Sequence, residues 1–416
     1  MNMRLDSEEQ AMLAGAMGEP RRWAIAHQIE VGNFFDAEDL VPVRQAHIMA
    51  DGESLGAAGV AFLESLAAAP REHRLTRIPT ITDPRGVDFA AYKRLGIAES
   101  LANRERRAIA AFEALGVMMT NTCINYQTLI PPVRGEHMAF GDTGVVIYCN
   151  SVFASRSNFE GGPSALAAGL TGRTPRYGLH LDRHRRGTDL FEVTFQPQAL
   201  SDWGALGGIV GRAVNDYWRV PVIAGITTPP SSDALKQFGA ALASYGSTPL
   251  FHMPGVTPEA VDVQAAFDGP LPAARVITET DLAAFYAGYG APGDKLDVVV
   301  FSAPQLSLIE MHEVATLLDG RLIHPDTTLL VATSPEIKHA ADRMGLTARI
   351  EASSAIVLDG VCFYQSYARE MAEANGWSRL MTSSAKLVNI IAGYGYRPTL
   401  ASTAICVDAA VAGRVP

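Results

Sequence analysis

The second half of the chain alternates short apolar runs with helical segments, and this alternation limits the fold more than any other feature. The apolar runs lie at 190–195, 220–226, 250–253, 298–301, 329–332, 356–358 and 380–382. Most of them are followed by a helix with a recognisable N-cap, such as Ser232-Asp233 or Ser334-Pro335-Glu336. Strands that alternate with helices form parallel sheets, and the helices cover both faces of such sheets. The sequence therefore predicts an α/β fold with largely parallel sheets covered by helices on both faces.

The first 116 residues are predicted to be mainly helical. Helices are expected from the Asp6-Ser7 cap onward, at 21–31 with Gly32 as the stop, at 56–68 and at 97–115. The segment 78–84 is expected to be extended, because Pro79 and Pro84 disfavour the helical conformation in the residues before them. No repeat or linker marks a domain boundary, so boundaries inside residues 1–416 are soft.

Polar side chains follow four of the predicted strands at the point where each strand ends. These four segments are 302–305, 333–334, 359–362 and 382–386. In open α/β sheets, ligands bind at the carboxyl ends of the strands. A single Ser or Thr at such a position is more often a helix cap. Because four strand ends agree, the sequence favours a shared cleft along this edge.

The segment 116–188 combines reactive side chains with many glycines. Its reactive residues are Cys123, Glu136, His137, Asn150, Arg156, Asn158, Glu160 and His180. The run Val145–Tyr148 is predicted to be a buried strand, with a polar stretch beyond its end at 150–160. A plain surface loop is the alternative. The length and chemistry of the segment favour an active-site wall.

The motifs of this segment resemble those of the aconitase X family. They are Gly135-Glu136-His137, Asn150-Ser151-Val152, Arg156-x-Asn158-x-Glu160-Gly161-Gly162 and Gly172-Arg173-Thr174-Pro175-x-Tyr177-Gly178-Leu179-His180-Leu181. The resemblance extends over nearly the whole chain, from Leu5 to Ala410. It implies an aconitase-like, multi-lobed catalytic core that occupies residues 1–416. It also implies that the small swivelling domain of such enzymes, which supplies a catalytic serine, is a separate subunit.

Family members dehydrate small hydroxy acids, so the resemblance implies the large subunit of a hydro-lyase. cis-3-Hydroxy-L-proline is the favoured substrate, and phosphomevalonate is the alternative within the family. A cluster-free lyase or isomerase is a rival, because Ala303 and Gln305 replace part of a Gly-Cys-Pro-His-like element found in some members. A second rival is a non-catalytic ligand-binding subunit, because Phe159 stands where an arginine is usual and the segment 141–145 differs from the usual family form.

The resemblance also assigns roles to single residues. It implies an iron–sulfur cluster held by Cys123, Cys362 and Cys406, whereas Cys149 continues an apolar run and is predicted to be a core thiol. The predicted catalytic residues are Glu136, His137, Ser384 and Lys386, although a structural role for His137 is an equal alternative. The predicted substrate-binding residues are Asn125, Asn150, Ser151, Arg156, Asn158, Glu160, His180, Thr382 and Ser383. Among these, Arg156 is expected to clamp the substrate carboxylate.

Composition excludes several classes of protein. The net charge of −10 argues against a general nucleic-acid or anionic-membrane surface, in spite of the basic segment 183–186. No apolar run reaches the roughly 18 residues that a membrane span needs, and the N-terminus lacks the apolar region of a signal peptide. Four scattered cysteines do not form a disulfide framework. We therefore expect a cytoplasmic protein with free or metal-bound thiols.

Overall fold

A computed structural model describes residues 3–290, 293 and 295–416 of the chain. Its helices are α1 Ser7–Leu13, α2 Glu19–Phe34, α3 Gly52–Ala67, α4 Arg71–Arg74, α5 Glu99–Ala114, α6 Asn125–Thr128, α7 Thr143–Val152, α8 Gly161–Thr171, α9 Leu200–Val214, α10 Ser232–Gly246, α11 Glu279–Ala287, α12 Leu308–Leu317, α13 Pro335–Arg343, α14 Leu346–Ala352, α15 Ala368–Asn375, α16 Ala385–Ile391 and α17 Thr403–Ala412. Its strands are β1 Leu40–Pro42, β2 Ala46–Ile48, β3 Thr80–Thr82, β4 Ala139–Phe140, β5 Arg173–Pro175, β6 Asp189–Val193, β7 Pro221–Ala224, β8 Arg275–Ile277, β9 Val298–Leu306, β10 Thr328–Thr333, β11 Ile356–Asp359, β12 Arg379–Thr382 and β13 Arg397–Leu400.

Parallel pairing dominates the sheets. The largest sheet has the strand order β11-β10-β9-β12-β13, and all of its pairs are parallel. Two smaller sheets, β3-β2-β4 and β7-β6-β8, are parallel as well. The antiparallel pair β1-β5 is the exception within the described part of the chain. The prediction of a largely parallel α/β fold is therefore confirmed.

The five-stranded sheet is covered on both faces, as predicted. Val298 and Val300 of β9 pack into one hydrophobic cluster, while Val299 and Phe301 pack into another on the opposite face. This alternation follows from the two-residue period of a strand. Because both faces are apolar, the strand appears in the sequence as a continuous run of hydrophobic residues.

The predicted strand at Val145–Tyr148 is wrong, since these residues lie in helix α7. Asp142 caps the helix by accepting a hydrogen bond from the backbone N–H of Val145 at 2.9 Å. All four residues of the run are buried in the largest hydrophobic cluster. A short run that is buried on every side has the same composition in a strand and in a helix. The true strand, β4, lies just before Asp142.

Two other local predictions are corrected. Helix α2 continues through Gly32 to Phe34, and a Cβ at Gly32 would lie 2.2 Å from the sulfur of Met3. The glycine therefore allows close packing and does not end the helix. The run 250–253 is not a strand; His252 makes only an isolated parallel bridge to Val222. The predicted start of α1 is confirmed, with Asp6 as the cap.

The strand order places the ends of several strands together. In the largest sheet the chain moves outward from β9 in one direction to β10 and β11, and in the other direction to β12 and β13. Such a switch point opens a crevice at the carboxyl ends of the two central strands. Here these strands are β9 and β12. No helix of the described residues is both long and apolar enough to cross a membrane.

Candidate functional site

Loops from two parallel sheets meet at one buried place. Asp83 follows β3 and Asp142 follows β4, while Cys362 follows β11 and Lys386 follows β12. The charges of Asp142, Cys123 and Lys386 all act on Asp83, so the side chains are close neighbours. We call Asp83, Cys123, Asp142, Cys362 and Lys386 the Lys386 cluster. The cluster thus contains four acids and one ammonium group.

Lys386 and Asp142 form the ion pair of the cluster. The lysine Nζ lies 3.3 Å from Oδ2 of Asp142, and the two side chains are only 5% and 3% exposed. Burial by itself lowers the pKa of Lys386, but the negative charge of Asp142, with smaller contributions from the other acids of the cluster, raises it overall. The ring of Tyr364 lies 5.5 Å from Nζ. The ammonium group is therefore charged and held in place.

Cys123 and Cys362 are two buried thiols in contact. Burial, followed by the contact with Cys362 and the charge of Asp142, raises the pKa of Cys123 well above its usual range. The backbone N–H of Gln305 donates to Cys123 Sγ at 3.4 Å, and the N–H of Cys123 donates to Oε1 of Gln305 at 3.1 Å. Ser302 Oγ donates to Cys362 Sγ at 3.6 Å. Both thiols are thus fixed against the end of β9.

Asp83 is fully buried, and only one of its oxygens has a hydrogen-bond partner. Oδ2 accepts from Nε2 of Gln365 at 2.8 Å, whereas Oδ1 has none. Burial, and then the charges of Asp142 and Cys123, raises the pKa of this carboxyl well above its usual range. His47 Nε2 lies 3.7 Å from Oδ1 but donates to the carbonyl of Thr122. Asp83 can therefore hold a proton and give it to a bound molecule.

Several other buried polar atoms near the cluster have no hydrogen-bond partner. They are Nδ1 of His47, Oδ1 of Asn121, both amide atoms of Asn125 and Oε1 of Gln365. Buried polar groups are normally paired, because an unpaired one loses its hydration without compensation. Their concentration around Cys123 indicates that a polar molecule or group belongs there.

The residues around Lys386 lie where the sequence predicted them. Ser384 caps α16 by accepting from the N–H of Leu387 at 3.1 Å, and its hydroxyl donates to the carbonyl of Ala303. Thr382 Oγ1 accepts from the N–H of Ser384 at 3.2 Å. Ser383 lines a small cavity beside Ser302. These hydroxyls shape the loop that presents Lys386, and the geometry gives Ser384 the role of a cap.

The predicted catalytic pair Glu136 and His137 lies elsewhere, together with Arg156 and His180. His137 forms a parallel bridge with Arg156 before β4 begins, whereas Asp142 lies beyond its end. At about 3.3 Å per residue, this separates His137 from Asp142 by on the order of 15 Å. The expected roles of these four residues at the reacting centre are therefore not supported.

Internal contacts account for this second group. Nδ1 of His137 lies 2.9 Å from Nδ1 of His180, and burial is the main reason why the pKa of each ring is lowered. Arg156 pairs with Asp182 and donates to the carbonyl of His180 at 3.2 Å. Glu136 accepts from the N–H of Val133 at 3.0 Å. The structural alternative for His137 is the one that the geometry favours.

Three further predicted substrate ligands hold the protein backbone, and a fourth, Glu160, holds the side chain of Thr174. Asn150 donates to the carbonyls of Ser157 and Pro249, both at 2.9 Å. Other contacts of this kind are Ser151 Oγ with the N–H of Phe251 at 2.9 Å, and Asn158 Oδ1 with the N–H of Leu179 at 3.0 Å. Glu160 accepts from Thr174 at 2.8 Å, and burial raises its pKa to about 7. Their expected contact with substrate is not supported either.

The third predicted metal ligand, Cys406, is separate from the thiol pair. It lies in α17, and its Sγ donates to the carbonyl of Ala401 at 3.7 Å. It packs in the hydrophobic cluster that includes Met381, in which neither Cys123 nor Cys362 takes part. Cys149 is a buried core thiol, as predicted. Across the residues for which the structure gives positions, no three His, Cys, Asp or Glu side chains are grouped so that they could hold a metal ion.

Sequence reasoning missed Asp83 and Asp142. Each is a carboxylate that directly follows a parallel strand, which is the signal used for the second half of the chain. The same signal could have found Asp83 after the extended segment at 80–82. Asp142 was hidden because the strand was predicted to begin at Val145, six residues after the true start of β4 at Ala139.

Comparison with known proteins covers almost the whole chain. Residues 2–183 match the model of the aconitase X first domain, residues 187–287 that of the second domain and residues 296–412 that of the third. The phosphomevalonate dehydratase large subunit of Methanothermobacter thermautotrophicus is 33% identical over 94% of either chain. The cis-3-hydroxy-L-proline dehydratase of Pseudomonas aeruginosa is 32% identical over 99% of this chain and 71% of its own. The crystal structure of Thermococcus kodakaraensis aconitase X in its holo-form matches with a TM-score of 0.87 and 27% identity, over 98% of this chain and 100% of the other.

Proposed function

Because this chain belongs to the aconitase X family, we propose that it is the large subunit of a dehydratase whose reaction takes place at the Lys386 cluster. Relatives along the whole chain are dehydratases, so the chain is a hydro-lyase that acts on a hydroxy acid. The observation that carries the location is the buried ion pair of Lys386 and Asp142 at the crevice between β9 and β12. The unpartnered polar atoms around it support the same place.

The cluster suits an elimination of water. A proton leaves the carbon next to a carboxylate, the carbon–oxygen bond of the hydroxyl breaks, and the departing hydroxide takes up a proton to become water. Lys386 faces the carboxylate and neutralises the negative charge that develops as the proton leaves. Asp83, with its raised pKa, gives the proton to the departing oxygen. Asp142 holds Lys386 in place. The resemblance assigns the base to a serine of the small subunit.

For the substrate we propose a small monocarboxylate, and cis-3-hydroxy-L-proline is the first choice. Lys386 is the cation whose charge is among the main influences on the pKa of Asp83, and it also interacts with both thiols of the cluster. One ammonium group matches one carboxylate. Phe159, which replaces a usual arginine, packs against Tyr217 at 5.5 Å between ring centroids. Phosphomevalonate, which carries two anionic groups, is the second candidate. The relative from M. thermautotrophicus is named as the large subunit of a phosphomevalonate dehydratase.

The family resemblance implies an iron–sulfur cluster, which would need its cysteine ligands to lie together. Cys123 and Cys362 meet, and unpartnered polar atoms surround them, whereas Sγ of Cys406 donates to the carbonyl of Ala401 and the described residues contain no group of three possible metal ligands. The predicted set of three cysteine ligands therefore does not fit the structure, and no step of the reaction is assigned to a cluster. Analysis of iron and acid-labile sulfide in protein purified without oxygen tests whether the thiol pair holds iron.

A small subunit is the proposed partner. Several relatives are named as large subunits, and the P. aeruginosa relative extends beyond the matched part of its chain. We propose that the small subunit covers the strand ends near Cys362 and Ser384. An elimination through a carbanion-like state needs such a cover, because water screens charges and intercepts protons. A cytoplasmic location stays a prediction.

The test is an assay of the purified chain with and without a co-expressed small subunit. We expect loss of water from cis-3-hydroxy-L-proline by the pair and essentially none by the chain alone. Lys386→Met in the pair is expected to lower kcat at least 100-fold, because one stabilising group at the developing charge is removed. If the pair dehydrated phosphomevalonate but not cis-3-hydroxy-L-proline, phosphomevalonate would be the substrate. An active Lys386→Met variant would refute the site. Tight binding of hydroxy acids by the pair without turnover would identify a ligand-binding subunit.

A further inference from the structure

A basic cavity of about 380 Å³ opens between the first and second family domains. Its charged lining consists of Arg134, Arg156, Arg185, Arg186, Asp182 and Glu259, and His252 is its one histidine. Arg156 lies beside His137, at the end of the extended segment that points away from Asp142. The cavity is therefore on the order of 15 Å from the Lys386 cluster, and a small substrate cannot reach both.

The charges of the cavity favour an anion. Four guanidinium groups face two carboxylates, which leaves two positive charges in excess on a chain with a net charge of −10. Asp268, outside the lining, pairs with Arg186 at 3.1 Å and reduces this excess to one. Arg134 makes no hydrogen bond or ion pair with any residue that the structure describes. Its guanidinium group is free to bind a ligand.

The back of the cavity is rigid. Arg185 is only 3% exposed; it pairs with Glu259 and donates to the carbonyl of Asn150 at 3.0 Å. His252 is 2% exposed, and its Nε2 lies 2.6 Å from the carbonyl of Arg185. Since a carbonyl can only accept, Nε2 carries the proton. Nδ1 of the same ring is buried and has no partner. His252, with this unpartnered ring nitrogen, is one of the residues that line the basic cavity.

We propose that this cavity binds a small phosphate-bearing anion, at a second ligand site separate from the site of dehydration. Arg134 and Arg156 contact the phosphate oxygens from the open side. Guanidinium groups suit phosphate because their N–H groups donate in pairs. His252 lies behind them in the lining, and its ring adds a positive charge to the cavity when it is protonated.

Proton uptake accompanies binding. In the free protein, burial is the main cause that lowers the pKa of His252; Glu259 opposes this, while Arg185 and Arg186 add to it. A bound dianion favours the imidazolium form, so binding raises the pKa. The affinity for the anion therefore increases as the pH falls through the pKa that His252 has in the anion-bound protein. Sulfate is the suitable probe for this effect, because it stays a dianion between pH 6 and pH 8, whereas phosphate itself titrates.

Isothermal titration calorimetry of the full chain at constant ionic strength tests the proposal. We expect inorganic phosphate to bind at one site and sulfate to bind more tightly at pH 6 than at pH 8. Arg134→Gln, an exposed change that leaves the fold intact, is expected to weaken binding about tenfold, as for the loss of one charge-assisted hydrogen bond. Arg71→Gln, an exposed arginine of α4, is the matched control and leaves the affinity unchanged.

Lys386→Met separates this proposal from the proposed function. We expect the variant to lose dehydration and keep phosphate binding. Loss of phosphate binding in Lys386→Met would place the anion at the Lys386 cluster and overturn the proposal. Equal effects of Arg134→Gln and Arg71→Gln, or sulfate binding that does not depend on pH, would show only nonspecific ion binding and would overturn it as well.

Discussion

Asn in place of Asp142 tests the Lys386 cluster directly, because it removes the negative charge next to the lysine and keeps a side chain that can cap α7. At 3.3 Å and an effective dielectric constant of about 20, the lost attraction is on the order of 5 kcal/mol. Breaking a buried pair from one side costs about 3–5 kcal/mol. The loss has an upper limit, because Lys386 can release its proton and avoid being a buried unpaired charge. For a lysine with a pKa of about 10.4, this release costs about 4.6 kcal/mol at pH 7. We therefore expect Asp142→Asn to lower the free energy of unfolding by about 3–5 kcal/mol at pH 7.

The stability deficit of Asp142→Asn is expected to shrink as the pH rises. In the variant, the pKa of Lys386 falls below its value in the unfolded chain, so the unfolded chain binds more protons and stability rises with pH. Between pH 7 and pH 9 the deficit relative to the wild type should shrink by at most about 1.4 kcal/mol per pH unit. Urea unfolding followed by circular dichroism measures it. Asp6→Asn, at the exposed cap of α1, is the control and should cost less than about 1 kcal/mol. A deficit in Asp142→Asn no larger than this, or one that grows with pH, would refute the buried ion pair.

Three further outcomes follow from the placement of the other residues. Any iron that anaerobically purified protein retains should decrease in Cys362→Ser and stay unchanged in Cys406→Ser; loss of iron in Cys406→Ser would restore the three-cysteine set. His137→Gln should keep more than about half of kcat, since the ring lies at the far end of β4; a 100-fold loss would return it to the reacting centre. Lys236→Met should lower the free energy of unfolding by about 3 kcal/mol, because it leaves Glu310 buried without its cation; an unchanged urea midpoint would contradict this.

The sequence predicted one half of the site well because the strands of the largest sheet contain apolar runs. The ends of β10, β11 and β12 lie within one residue of the predicted ends, whereas β9 continues to Leu306, beyond its predicted end at 301. Lys386 and Cys362 were found in this way. Side-chain contacts such as that between Cys123 and Cys362 join residues far apart in sequence, and no periodicity reveals them.

The other half failed at one element. β4 has two residues, too few to show a period, while the apolar run of α7 has the composition of a strand. Placing the strand at Val145–Tyr148 moved the predicted ligand side from Asp142 to the polar stretch at 150–160. The family resemblance also assigned Arg156 and Glu160 to the substrate, so the two lines of reasoning agreed on the same stretch. In the structure the motif residues there fix backbone contacts and line the basic cavity, so the resemblance of a motif did not by itself locate the chemistry.

Gln305 shows why the site depends on all three family domains. Its side chain accepts from the N–H of Cys123 in the first domain and donates to the carbonyl of Val361, beside Cys362 in the third. Its own carbonyl accepts from Lys236 of the second domain at 3.3 Å. Lys236 is fully buried between Glu310 and Asp233, so it holds this position firmly. The thiol pair is therefore aligned only when the three domains are packed together. A cover over the strand ends would then act on a site that this chain has already assembled.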